Sequence, residues 1–326
     1  MKHISILVPE GAVPAAIVDP RYIFSAVNMF LAEKGEDPAF DVRLVGLSKN
    51  VTLNDGVFAV HPDHLLREVT RTDLVIIPAL SGDMKAAIEL NKDFIPWIKD
   101  QYAGGAEVAS LCLGAFLLGA SGLLAGKKCS THWLFASEFR NMFPDITVAD
   151  GSIITEEQGI YSSGGASSYW NLLLHLVEKY TGREMAIRAS KFFAIEIDRK
   201  SQSPFIMFNG QKKHEDEPII QAQEFIEKNI TEKITIEELA TRFTIGRRHF
   251  ERRFKKATNN SPAEYIQRVK IEAAKKKFET TRMNVSEVMY EVGYSDIKAF
   301  RTVFKKIVGL SPVEYRNKYN KNQMAY

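Results

Sequence analysis

The C-terminal third of this 326-residue chain states one pattern twice. Phe250-Glu251-Arg252-Arg253-Phe254-Lys255-Lys256 precedes Asn260-Ser261-Pro262-Ala263-Glu264-Tyr265. Fifty residues later, Phe300-Arg301-Thr302-Val303-Phe304-Lys305-Lys306 precedes Leu310-Ser311-Pro312-Val313-Glu314-Tyr315. Upstream, Thr235 matches Asn284, Glu238 matches Glu287 and Ile245 matches Tyr294, at an offset of forty-nine, so the second copy holds one extra residue in its turn. A duplicated stretch of this length must fold as two copies of one small unit, and that restricts the region more than any compositional figure.

The residues of each copy specify short capped helices. Thr235-x-x-Glu238 and Asn284-x-x-Glu287 place a capping side chain three residues before a carboxylate, so each can satisfy the other's free N–H groups. Ser261-Pro262-Ala263-Glu264 and Ser311-Pro312-Val313-Glu314 repeat the arrangement with proline at the first helical position. The expected helices run over about Ile236–Phe243, Arg247–Ala257 and Pro262–Phe278 in the first copy. Gly293 stands where the second copy's tight turn needs positive φ. Each copy therefore reads as a helix–turn–helix.

The second helix of each unit has two faces. Phe250, Phe254 and Ala257 point inward, whereas Arg248, Glu251, Arg252 and Lys255 recur at helical spacing on the opposite side. Phe300, Phe304 and Ile307 do the same in the second copy, leaving Lys298, Arg301, Thr302 and Lys305 outward. A helix of this width enters the major groove, where arginine bonds guanine and lysine neutralises phosphate. A single such helix would read better as an ordinary solvated surface; two capped copies point to DNA. Glu251 can accept from a cytosine amino group or pair with Arg248 or Lys255, and both options stand at this level.

Charge supports the division. Residues 216–326 hold 22 Lys/Arg against 15 Asp/Glu, and residues 1–215 hold 21 against 25. A basic module joined to a mildly acidic one suits a nucleic-acid binder attached to something else. The first part alternates β-rich runs (Ile4–Val8, Val42–Leu47, Leu74–Pro78, Val108–Leu111, Ile153–Thr155, Ile160–Ser162) with amphipathic segments over Arg21–Glu33, Met84–Gln101 and Ser168–Tyr180. That alternation argues a mostly parallel sheet with helices on both faces. The expected domains are 1–183, a connecting segment 184–218, and an all-α domain 219–326.

Other classes fit poorly. Cys112 and Cys129 are the only cysteines, too few for a disulfide scaffold and suited to a reducing cytoplasm. The N-terminus reads as a first strand rather than a signal peptide. The uncharged stretch Ala109–Gly126 is rich in glycine and alanine and reads as strand, turn and buried helix, so no membrane partner is expected. His61-Pro62-Asp63-His64 lacks a third ligand at sensible spacing; no metal and no cofactor are expected. Cys112 follows a strand at an abrupt turn into a helix, where the helix dipole favours thiolate; alone, it reads better as a small buried residue packed at a tight turn.

Two resemblances rest on these residues. Residues about 219–320 resemble the DNA-binding domain of the AraC/XylS family of transcription regulators. The match lies in Leu239-Ala240, Arg248-His249-Phe250-x-Arg252-x-Phe254-Lys255, Gly293-Tyr294-Ser295-Asp296 and Gly309-Leu310-Ser311-Pro312-x-x-Tyr315-Arg316. It implies two helix–turn–helix units joined by a long helix. It places Arg248, Glu251 and Arg252, with Ile297, Lys298 and Thr302, at base-facing positions; Arg247, Lys255, Arg301 and Lys305 complete the expected DNA-binding set. Gly246 stands where serine usually caps the first recognition helix, and Thr302 where arginine is common.

Residues about 1–183 resemble the DJ-1/PfpI superfamily, a flavodoxin-like α/β sandwich. Here the match lies in Cys112-Leu113-Gly114-Ala115, Gly122-Leu123-Leu124-x-Gly126, Ser130-Thr131-His132-Trp133 and Ser163-Gly164-Gly165. It implies Cys112 as the elbow residue with His132 close by. Leu113 occupies the position of the histidine found in peptidase-like members, and Gly11–Ala16 lacks the acid that DJ-1-like members carry after the first strand. No catalytic residue is therefore expected. A small-molecule pocket formed by Cys112, Leu113, Gly114, His132, Gly164 and Gly165 is expected instead. Together the two halves resemble the GlxA-type transcription regulators. That resemblance implies a cytoplasmic bacterial homodimer, nucleoid-associated when bound, that recognises promoter DNA and an amine- or amino-acid-related effector. The rivals are a Cys-dependent hydrolase or glyoxalase-like enzyme with an accessory DNA-binding domain, and a nucleoid protein without sequence preference.

Overall fold

The computed structural model describes residues 1–199, 201–212 and 214–320. The chain divides into two compact units, the first ending at Gln202 and the second beginning at Ser203.

In the first unit the elements follow as β1 (Lys2–Leu7), α1 (Pro14–Ala32), β2 (Phe40–Gly46), β3 (Val51–Leu53), β4 (Phe58–Val60), β5 (His64–Leu65), β6 (Leu74–Ile77), α2 (Met84–Leu90) and α3 (Phe94–Ala103). After these come β7 (Glu107–Ser110), α4 (Ala115–Ala120), β8 (Lys128–Cys129), α5 (Ala136–Met142), β9 (Thr147–Val148), β10 (Ile154–Glu157), β11 (Ile160–Ser163), α6 (Tyr169–Thr181) and α7 (Arg183–Phe192). A seven-stranded sheet runs in the order β10-β11-β7-β6-β1-β2-β5. Every neighbouring pair is parallel except β10 with β11. Strand β6 explains its central place: Leu74, Val75, Ile76 and Ile77 are all fully buried, as a strand covered on both faces requires.

Several local expectations change. Helix α1 starts at Pro14, a proline at the first helical position, rather than at Arg21, and runs through Pro20. The Met84–Gln101 segment breaks at Asn91, whose buried side chain accepts from the Glu10 amide at 2.8 Å and donates to the Glu10 and Ala87 carbonyls. A distant partner thus ends that helix. The Ala109–Gly126 run resolves into the end of β7, a tight turn and α4, and among the described residues no helix is long and apolar enough to cross a membrane. Asp63 of the His61–His64 stretch accepts from Arg21 and the Leu44 amide, and no metal-ligand cluster occurs among the described residues.

The expected connector 184–218 is not a free-standing linker. Met185, Ala186 and Ala189 of α7 are buried in the first core, and Gln202 is buried there too. Beyond Ser203, Phe208 meets the Tyr265 ring at 5.2 Å and its amide donates to Glu272, so this stretch belongs to the second unit.

The second unit is all helical: α8 (Glu217–Lys228), α9 (Ile236–Arg242), α10 (Arg247–Thr258), α11 (Pro262–Thr280), α12 (Val285–Glu291), α13 (Ile297–Val308) and α14 (Pro312–Tyr319). All four capping boxes form, at Thr235, Ser261, Asn284 and Ser311. The duplication extends into the core. Tyr265 donates its phenol to Glu227 of α8, and Tyr315 donates its own to Glu279 of α11. Each copy is thus three helices closed by the start of a fourth.

Candidate nucleic-acid interface and cysteine elbow

The recognition faces are built from the inside out. Phe250 and Phe254 on α10, and Phe300 and Phe304 on α13, are each fully buried, and burying such a ring is worth roughly 1.5–3 kcal/mol. Their rings meet in pairs at 5.6 and 5.8 Å, and Phe254 and Phe304 also touch Tyr265 and Tyr315. With that stripe fixed inward, helical geometry sends Arg248, Arg252 and Lys255 outward on α10, and Lys298, Arg301, Thr302 and Lys305 outward on α13; all seven are exposed. Arg248, Glu251, Arg252 and Lys255 border one hollow with Ile236 and Ser261–Ala263.

Three residues of the set behave differently from the rest. Arg247 is exposed but engaged by Glu237 and by Glu251 at 3.3 Å. Glu251 therefore pairs with Arg247, neither with Arg248 nor with Lys255. Ile297 is half-buried and packs on the second apolar cluster, so part of it serves the fold. Arg253, adjacent to Arg252, turns to α8 and binds Asp216 through Nε and Nη2 at 2.8 and 2.7 Å.

The turns differ in a way the sequence hid. Thr244, not Gly246, takes the left-handed conformation in the first unit, at φ 55°, while Gly246 sits at φ −60° as an N-cap without a side chain. In the second unit Gly293 has φ 72°, and the extra residue lets Asp296 cap α13 through the Lys298 and Ala299 amides.

At the elbow, Cys112 is buried with φ 52°, and its amide donates to Ser163 Oγ at 3.3 Å. Gly114 must be glycine: a Cβ would stand 2.5 Å from the carbonyl oxygens of Ile77 and Pro78. Burial pushes the Cys112 thiol up to about 12. The expected dipole effect loses because the turn is a single 3-10 turn leading into a six-residue helix, too short to offset desolvation. His132 is half-buried and its pKa is lowered by that burial. Its Nδ1 accepts from the Leu134 amide at 3.2 Å, and no hydrogen bond joins it to Cys112; instead Thr131 Oγ1 donates to the Cys112 carbonyl at 3.3 Å. Leu113 is buried against the core. The Gly164-Gly165 loop is backed by Gln202, whose Nε2 donates to the Thr131 and Ser152 carbonyls. A Cβ on Gly164 would lie 2.1 Å from that nitrogen.

Sequence reading missed an acid that binds Tyr169, a residue near the elbow. Asp19 lies further along α1 and accepts from the Tyr169 phenol at 2.7 Å. The Tyr169 pKa is raised first by burial and then by that bond, and it is near enough to Cys112 that a thiolate there would raise it further. Only the prolonged α1 brings Asp19 to this place, so the segment after β1 gave no local signal.

A DJ-1/PfpI family profile matches residues 4–179, and a helix-turn-helix domain profile matches residues 239–318. The chain belongs to the DJ-1/PfpI family. Its DJ-1/PfpI domain is followed by an AraC-type helix–turn–helix domain. The chain is 24% identical over 272 residues to the HTH-type transcriptional regulator GbdR of Pseudomonas aeruginosa, covering 82% of this chain and 72% of GbdR. It is 20% identical over 215 residues to the HTH-type transcriptional regulator GlxA of Rhizobium meliloti, covering 66% of each. A solved AraC family transcriptional regulator from Pseudomonas putida aligns with TM-score 0.50 at 18% identity, covering 59% of this chain and all of that one; this likeness concerns fold.

Proposed function

We propose that this DJ-1/PfpI-family protein is a sequence-specific DNA-binding transcription regulator whose first unit binds a small metabolite. One observation carries the DNA-binding part: α10 and α13 each bury a phenylalanine pair and expose a cationic face. Arg252 and Arg248 supply base readout in the first helix–turn–helix, Lys298 and Thr302 in the second, and Lys255, Arg301 and Lys305 bind phosphate. Arg247 orients Glu251 and adds charge. The relatives named as HTH-type transcriptional regulators span most of the chain and support the same reading.

The effector site we assign to the elbow region around Cys112 and His132, with Tyr169 and Asp19 added. An amine- or amino-acid-related effector would suit a site that offers both the His132 imidazole and the Asp19 carboxylate held by Tyr169. Catalysis is disfavoured by the chemistry of the elbow: a thiol near 12 is protonated at neutral pH, and His132 does not reach it. Regulation requires that effector favour one DNA-binding state over another, and a homodimer would double the recognition surface. Genome-wide mapping of bound DNA, followed by affinity measurements with metabolites of the adjacent operons, tests the reading. The expected result is a shared motif and an effector-dependent change in affinity; uniform binding to random duplexes would refute it. Cys112→Ser should leave effector-free DNA affinity unchanged, and turnover of carbonyl or amide substrates abolished by that substitution would favour the enzyme reading.

A further inference from the structure

We propose that Lys270 is a positioning residue that clamps the two helix–turn–helix units at one separation. It thereby fixes the spacing of the DNA segments read by α10 and α13, and so rests on the DNA-binding reading above. Helix α11 belongs to two cores. Tyr265, Ile266 and Val269 pack into one apolar cluster, Ile271, Ala274 and Phe278 into the other, and Lys270 sits between the two sets.

Lys270 is 7% exposed, and its Nζ donates in two directions. One bond goes to the Glu232 carbonyl at 3.0 Å, in the loop between α8 and α9 of the first unit. The other goes to the Gly293 carbonyl at 3.2 Å, in the turn between α12 and α13 of the second. Burial alone acts on its pKa, pulling it down, and both of these acceptors are neutral carbonyls. An ammonium held this way carries a desolvation cost that an apolar side chain would avoid. The two segments it joins are also in close contact: a Cβ on Gly293 would lie 2.5 Å from the Thr231 carbonyl oxygen and 2.8 Å from that of Ile230. Removing the ammonium leaves the shared helix and the Gly293 turn contact as the links between the two helix–turn–helix units.

The test uses the full-length chain. Wild type selects its two-part motif from random duplexes, and one base pair is then inserted or deleted between the halves. Each change shifts one half by about 3.4 Å and about 35°. Wild type is expected to lose about tenfold or more in affinity on either change. Lys270→Met should bind the native gap a few-fold more weakly, while its penalty for an altered gap falls to within about threefold. A Lys270→Met protein that keeps the wild-type spacing penalty overturns the proposal, whatever its melting temperature. A wild type indifferent to the gap overturns it as well. If circular dichroism shows Lys270→Met unfolded, Lys270→Leu, which also removes the donor, is judged by the same criterion. Wild type that enriches no motif would sink the DNA reading and the clamp together, whereas failure confined to the variant leaves the DNA reading standing.

Discussion

Arg252 and Arg253 are sequence neighbours with opposite employment. Arg252 is exposed on the recognition face, and Arg253 holds Asp216, the N-cap of α8. Arg252→Ala should leave unfolding unchanged and cost roughly 1–3 kcal/mol in binding, chiefly at one base pair, measured by titrating single-substituted duplexes. Asp216→Asn should spare DNA recognition and lower stability by about 1 kcal/mol, a value discounted for partial exposure of the pair. The Arg253 guanidinium, more than any other group, holds the Asp216 carboxyl below its ordinary 3.8. Because the folded value is depressed, the pair's contribution is present above 3.8 and is lost as pH falls through the lower folded value. Denaturant unfolding at pH 7 should therefore separate Asp216→Asn from wild type, and unfolding in strong acid should not.

Helix ends were legible because their determinants are local. Each capping box lies within four residues of sequence, and α9, α10 and α11 begin where Thr235, Gly246 and Ser261 put them. Asn284→Ala should accordingly cost about 1 kcal/mol in thermal or denaturant unfolding. Elements set by distant partners were not legible. The break at Asn91 depends on Glu10, the length of α1 depends on packing that tolerates Pro20, and Asp19 meets Tyr169 from within that length. Lys270 carries no local signal, since its two acceptors come from segments thirty-eight and twenty-three residues away. The first turn carries its own cost. Thr244 is β-branched and exposed yet held at φ 55°, a conformation such residues disfavour. Thr244→Gly should raise stability by up to about 1 kcal/mol in urea unfolding, strain relief outweighing the added chain entropy.

For the whole molecule, charge partition and duplication were the features that sequence carried most fully, because both are sums over many residues and survive local errors. The boundary at Gln202 was not, because one buried amide contacting Thr131, Trp133 and Ser152 decides where the first unit ends. Binding should weaken steeply with salt, and Lys255→Ala or Lys305→Ala should each reduce the slope of log affinity against log salt by about 0.9 if each lysine neutralises one phosphate. The pressed turn at Gly293 also bears on how this domain can go on changing. The two similar units are not interchangeable parts: glycine transplanted to 244 would meet no objection, while threonine transplanted to 293 would drive a side chain into the carbonyls of Ile230 and Thr231. Mutational drift is thus open in one turn and barred in the other.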